Sequence, residues 1–296
     1  MRRTLPQPPG GDPAFAPLAD ERMYWPVQRT RLQWAVRQGF QAAVGDPIER
    51  LAFGLWKNQL PGGARVERLG LPRRAVEREL GSALVLRVDP RQLIRSRDWR
   101  GYAKRQRPAS SMFIWDGSWD LRRGDLRHSS RYLFVSDLDM HRNDLTESEA
   151  FQKLMSRLEA GRPWRSHQKG LLLDSEARIL AYLNIYLSFM DDMAVWGFDD
   201  SLGKDELGVA VTREGRLLKI NRGLHRLAMA QRVGLDEVPV SVKAVHREWW
   251  ERVTAGVSGQ AALECLSAAL LECKPETEPG PLDPAKSGNE WLEDKP

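Results

Sequence analysis

An α+β fold is predicted, on three observations. Residues 207–245 read as a β-hairpin, a glycine turn, a helix and a buried strand. The run "ALVLRV" at 83–88 is apolar, rich in β-formers and stopped by Asp89-Pro90. Most of the remaining chain has the 3.6-residue apolar periodicity of helices.

The elements follow in chain order. "RTRLQWAVRQGFQAAVGDPIERLAFGLWKNQL" carries one stripe through Leu32, Ala35 and Val36 and another through Ile48, Leu51, Ala52 and Leu55. Gly45 and Asp46-Pro47 punctuate it, which predicts a helical hairpin. "GLPRRAVERELG" (70–81) is a short helix ended by Gly81. After the 83–88 strand, "SMFIWDGSWD" (111–120) adds a second short run with a turn at Asp116-Gly117-Ser118. Thr146 and Glu149 stand at capping-box spacing before a helix that stops at Gly161, and another helix runs through "DSEARILAYLNIYLSFMDDMAVWG". "LGVAVT" (207–212) and "RLLKI" (216–220) pair around Arg213-Glu214-Gly215, and "VPVSVKAV" (238–245) is the last strand. The organisation expected is a tail at 1–20, a helical region at 21–80, an α+β domain at 81–250, a C-terminal helix at 251–275 and a second tail at 276–296. Both tails are read as disordered because Pro, Gly and charge dominate them.

Composition narrows the function classes. With 42% hydrophobic and 29% charged residues, the 296-residue chain has the make-up of a soluble globular protein. "ILAYLNIYLSFM" is too short to cross a bilayer, and the arginines at the start precede no apolar signal region. No membrane association is expected. Two cysteines eight residues apart, Cys265 and Cys273, form neither a disulfide framework nor a metal pair and fit a reduced, cytoplasmic setting. The net charge of +5 is uneven. Residues 95–107 hold Arg95, Arg97, Arg100, Lys104, Arg105 and Arg107 against one acid, with Trp99 and Tyr102 interleaved. Cations attract nucleic-acid phosphates and aromatic faces stack on bases, so this is a candidate nucleic-acid patch. A solvated basic loop explains the same residues.

The chemistry concentrates at 216–245. A helix opening beside Gly223 would aim free N–H groups and the positive end of its dipole at an anion. Asn221, Arg222, Gly223, His225 and Arg226 are the candidate phosphate contacts. A plain strand-to-helix turn capped by Asn221 accounts for the same glycine. His246, after the last strand, is a candidate base or phosphate ligand; a surface histidine packed on Trp249 or Trp250 is the alternative. Asp116 and Asp120 are weak candidates for holding Mg²⁺. His128, His141 and His167 have no metal spacing. Trp115, Trp119, Trp164 and Trp196 are read as packing.

The arrangement hairpin, Gly223-Leu224-His225-Arg226-Leu227-Ala228, Gly234-Leu235, Val238-Pro239-Val240 resembles the ParB/sulfiredoxin superfamily, and "LRVDPRQLI" (86–94) looks like its first strand. The resemblance covers 207–246 and extends back to about residue 84; residues 21–80 have no counterpart in it. It implies a small mixed sheet with helices, here with a helical N-terminal extension. It also implies a nucleotide held through its phosphates by Gly223, His225 and Arg226. ATP or CTP with Mg²⁺ are then the candidate cofactors, and phosphoryl transfer to a small acceptor is one use of them. A DNA- or nucleotide-responsive module without catalysis is the alternative. The chain departs from the pattern in three places. Leu224 stands where the repair enzymes carry a nucleophilic cysteine, and Leu-His-Arg replaces the Glu-Arg-Arg of partition proteins. Arg222 replaces the acid common before the glycine.

Overall fold

The computed structural model describes residues 13–100, 102–199, 206–220 and 222–283. In chain order the helices are α1 (Tyr24–Phe40), α2 (Asp46–Lys57), α3 (Gly63–Leu69), α4 (Arg73–Leu80), α5 (Ser130–Met140), α6 (Glu149–Glu159), α7 (Glu176–Trp196), α8 (Leu224–Val233), α9 (Arg247–Thr254) and α10 (Gln260–Leu270). The strands are β1 (Val85–Val88), β2 (Arg95–Arg97), β3 (Ile114–Trp115), β4 (Arg123–Asp125), β5 (Trp164–Ser166), β6 (Leu171–Leu173), β7 (Gly208–Val211), β8 (Arg216–Lys219), β9 (Val238–His246) and β10 (Lys274–Pro275). The fold is thus mixed α and β, with a mixed sheet and a helical N-terminal region.

Chain contacts divide the protein into two units. A helical unit takes residues 13–40, 130–199 and 225–235; a sheet unit takes 41–129, 206–224 and 236–283.

In the sheet unit the strand order is β1-β9-β7-β8-β2-β4, with β3 also on β9 and β10 also on β8. The expected hairpin forms: β7 and β8 pair antiparallel with Val211 opposite Leu217, around Gly215 at φ 88°. β9 lies parallel to β7, as its near-continuous apolar run requires, and pairs antiparallel with β1 on its other side. Val209, Ala210, Val211, Leu217, Leu218, Val242 and Ala244 are fully buried.

The helical unit packs α5, α6, α7 and α8 with the small β5–β6 ribbon. Ser175 caps α7 by accepting the Arg178 N–H, and Phe15, Tyr182, Tyr186 and Phe189 form an aromatic cluster with centroids 5.2–6.2 Å apart.

Several expectations are corrected. Residues 13–20 are not a tail: Phe15 and Leu18 are buried, because two apolar side chains among the prolines suffice to anchor the segment on α7 and β6. Residues 276–283 are not a tail either. Glu276 is buried against Arg123 at 2.6 Å, and Asp283 accepts the Arg123 N–H. The C-terminal helix is two helices, α9 and α10, separated by Ala255 in the left-handed region at φ 49° and Gly256 at φ 83°. The helical hairpin is absent. The backbone stays helical through a π turn at Gln41–Gly45, and Asp46-Pro47 opens α2 without a break. Nor do residues 21–80 form one module, since α1 belongs to the helical unit and α2–α4 to the sheet unit. The stripes assigned there point outward: Leu32, Val36, Ile48 and Leu51 are exposed, whereas Phe53 and Trp56 are the buried residues of α2. Periodicity locates an apolar face; it does not say what covers it. At α6 the cap is Ser148, not Thr146, which lies in a 3-10 turn capped by Asp144.

Candidate functional site

The β8 end of the sheet unit gathers cations around aromatic rings. Lys219 closes β8 and is fully buried, an unusual place for a lysine. Its Nζ donates to the Arg222 carbonyl at 2.6 Å, tying the turn back onto the strand. Beside it, β2 runs parallel to β8 with Ser96 opposite Lys219. Arg97, the next residue, reaches across so that its Nε donates to the Ile220 carbonyl at 2.9 Å. Its guanidinium carbon lies 4.6 Å from the Trp99 ring centre and 5.7 Å from that of Trp115. Arg107 stands 5.5 Å from the same Trp99 ring. Trp119 meets Trp115 edge-on at 5.3 Å, and its buried Nε1 has no partner among the described residues.

Arg97 meets no carboxylate among the described residues. The nearest acid in sequence, Asp98, is occupied by Arg100 at 2.7 Å and Arg122 at 3.1 Å. Burial, with a smaller contribution from the Arg107 charge, pulls the Arg97 pKa down to about 10. Its charge is therefore partly desolvated and opposed rather than neutralised. The two Nη groups donate to nothing among the described residues.

The candidate phosphate contacts are divided. Arg222 and Gly223 belong to the sheet unit; Arg222 is exposed, and Gly223 takes φ 85° directly before α8. Asn221 lies outside the described residues. His225 and Arg226 belong to the helical unit. There the His225 ring packs 5.9 Å from Phe134 and 5.5 Å from Tyr186, and the Arg226 guanidinium lies 4.1 Å from the Phe198 ring and donates to the Asp199 carbonyl. Burial first, then the charges of Arg131 and Lys169, depress the His225 pKa to about 4. His225 is thus a neutral donor near pH 7. On acidification the unfolded chain takes up this proton first, near the ordinary value of 6.5, so stability falls as the pH drops from there towards about 4. An NMR titration is expected to show the His225 ring unprotonated at pH 5.5; a midpoint above 6 there would contradict it.

His246 is fully buried and has no lone pair to offer. Its Nδ1 accepts the Glu248 N–H at 3.1 Å, capping α9, so the proton must sit on Nε2, which donates to the Gly117 carbonyl at 2.8 Å. Arg213 Nη2 stands 3.3 Å from that Nε2. The ring therefore serves architecture, and the expectation of a base there is corrected. Asp116 and Asp120 do not converge on a cation either. Asp120 is fully buried on Arg213 at 2.8 Å, and exposed Asp116 pairs with Arg247 at 2.8 Å. Among the described residues no group of three His, Cys, Asp or Glu is placed to hold a metal.

The basic run is not a row of outward cations. Arg95 bonds the Thr277 carbonyl at 3.0 Å and stands 3.7 Å from Asp125, Arg100 pairs with Asp98, and Arg97 and Arg107 lie on Trp99. Lys104 and Arg105 are the members that simply face solvent. Sequence reasoning missed Lys219 and the separation of Arg97 from its neighbours. A lysine inside "RLLKI" was the available signal for the first. Trp196, read as packing, is 82% exposed. Among the described residues no helix is long and apolar enough to cross a membrane. No family model, no curated protein and no solved structure matches the chain.

Proposed function

We propose that the sheet unit binds a phosphorylated small molecule, in the first instance a nucleotide, beside the turn that follows β8. Arg97 is the observation that carries this reading. A guanidinium partly withdrawn from water, pressed by a second arginine and given no carboxylate is an electrostatic deficit that an anion would fill. Two unspent Nη groups suit the oxygens of a phosphate, which a guanidinium binds in a fork. Gly223, at φ 85°, puts no Cβ beside the turn, and the part-exposed Trp99 ring gives a planar group a face to stack on. The likeness of this turn to the ParB/sulfiredoxin pattern supports the same ligand class. Binding, rather than phosphoryl transfer, is the reading adopted, because the one base considered for transfer, His246, has both ring nitrogens committed.

Calorimetry with ATP, ADP and CTP, with and without Mg²⁺, tests this. The parent protein is expected to bind at least one of them, and Arg97→Ala is expected to weaken that binding by at least about tenfold, the loss of one charge-assisted contact. Arg97→Lys should recover only part, since an ammonium cannot fork. A parent that binds none of the three, or a folded Arg97→Ala protein that binds as well as the parent, would sink the reading.

A further inference from the structure

α1 presents an apolar face to solvent, and the order of residues on that face says what covers it. At 100° per residue, Val27 and Trp34 lie within about 20° of each other on one side of the helix. Val27 is 1% exposed and sits so close to Gly170 that a Cβ there would stand 3.1 Å from its γ-methyl. Val27 faces the helical unit, while Trp34 on the same side is 52% exposed. About 180° away, Trp25, Leu32, Val36 and Phe40 fall within an arc of about 80°. They are 74%, 66%, 63% and 66% exposed. Arg29 lies inside the same arc. The helix carries Arg29, Arg31 and Arg37 and no acid.

Along the helix this seam reads Trp25, Arg29, Leu32, Val36, Phe40, spaced four, three, four and four residues. The pattern is nearly the same from either end. About a midpoint between residues 32 and 33, Trp25 corresponds to Phe40 and Arg29 to Val36, while Leu32 falls beside the axis. A surface that repeats under such a reversal is self-complementary by a two-fold rotation.

We propose that α1 docks antiparallel against α1 of a second copy of this chain. Aromatic rings then meet at both ends and the two Leu32 side chains at the centre. The aliphatic stem of each Arg29 lies along Val36 of the other copy with its guanidinium in water. Covering the four side chains on both copies removes about 1,000 Å² from solvent, the lower edge of specific interfaces, so the dimer is reversible and concentration-dependent. The electrostatic sign distinguishes this occupant from others. Each α1 carries three arginines and no acid, with Arg29 inside the seam, so two copies repel and screening strengthens the pair, whereas an acidic partner or an anionic lipid surface would be released by salt.

Sedimentation velocity of the full chain over a hundredfold concentration range, at low and high salt, tests the proposal. A dimer that grows with concentration and with salt is expected, and the exposed double change Leu32→Glu/Val36→Glu should abolish it without lowering the melting temperature. Under mild oxidation Leu32→Cys should give a disulfide-linked dimer while Trp25→Cys should not, with the parent chain controlling for Cys265 and Cys273. A monomer throughout overturns the proposal, as does association that survives the double change or weakens with salt. Equal cross-linking at positions 25 and 32 overturns the antiparallel arrangement. None of these readouts depends on Arg97 or on a nucleotide.

Discussion

Replacing Asp120 by alanine is expected to cost the sheet unit about 3–5 kcal/mol, the range for breaking a buried ion pair from one side. Asp120 is fully buried and accepts from Arg213 at every available position: Oδ1 from Nη2 at 2.8 Å, Oδ2 from the backbone N–H at 2.9 Å, and both from Nε at 3.1–3.2 Å. Alanine leaves the backbone N–H of Arg213 without its acceptor and the guanidinium with only exposed Glu248, 3.2 Å away, and the Gly117 carbonyl. It also opens the hairpin tip, since Arg213 begins the β7–β8 turn. The melting midpoint should fall by roughly 10 °C. Asparagine should cost less, because one amide oxygen still accepts the backbone N–H.

The pH dependence follows from the direction of the Asp120 shift. Burial pushes its pKa up, but hydrogen bonds from the Arg213 side chain and backbone, with the Arg213 charge, outweigh burial and hold it below the ordinary value of 3.8. The folded carboxylate therefore keeps its charge to lower pH than the unfolded one. Its contribution to stability is whole above the unfolded value and is lost as the pH falls through the folded one. In Arg213→Met the guanidinium bonds and charge are gone and only the backbone N–H of residue 213 still opposes burial, so acid destabilisation should begin at higher pH than in the parent. Parallel acid limbs for parent and variant in denaturation followed from pH 7 to pH 2 would show that Asp120 is not the group responsible.

Much of the sheet was legible because its signals are local. "LGVAV", the Arg213-Glu214-Gly215 turn, "RLLK" and "VPVSVKAV" each carry an apolar run with a turn that only one pairing satisfies, and β7, β8 and β9 form there. α4 was legible through its glycine stop and α7 through its long apolar run. What escaped depends on distant partners. α5 carries too mixed a face to be read alone, and its core residues Val135 and Leu138 acquire meaning only beside α6 and α7. β2 and β4 are three residues each and exist because β8 offers an edge. The candidate site illustrates the same limit. Nothing in "RSRDWRGYAKRQR" separates Arg97 from Arg95 or Arg100 until strand pairing turns Arg97 toward Trp99 and gives its neighbours Asp125 and Asp98. The opposite error occurred at His246, where a histidine after a strand reads as a reactive group and proves to be a helix cap.

Glu67→Ala is expected to destabilise the sheet unit by about 2–5 kcal/mol, because it strands two buried indole donors at once. Glu67 stands on α3, and its two carboxylate oxygens accept Trp56 Nε1 of α2 at 2.6 Å and Trp250 Nε1 of α9 at 2.8 Å. Both indoles are shut from water, 1% and 0% exposed, with ring centres 6.1 Å apart. One side chain thereby fixes three helices. α3 is brought within reach by Gly63, where a Cβ would lie 2.8 Å from the Leu55 carbonyl and force α2 and α3 apart. Arg247 reinforces the joint by donating to the Glu67 carbonyl at 3.1 Å and the Arg68 carbonyl at 2.9 Å. Glutamine at 67 separates hydrogen bonding from packing. Its amide oxygen can accept one indole N–H, but its NH₂ must face the other, donor against donor. Glu67→Gln should therefore fall between parent and Glu67→Ala in a thermal melt, and tryptophan emission should shift to the red in the same order as the indoles meet water. If Glu67→Ala melts with the parent, the indole N–H groups find other acceptors and α2, α3 and α9 are held by apolar packing alone.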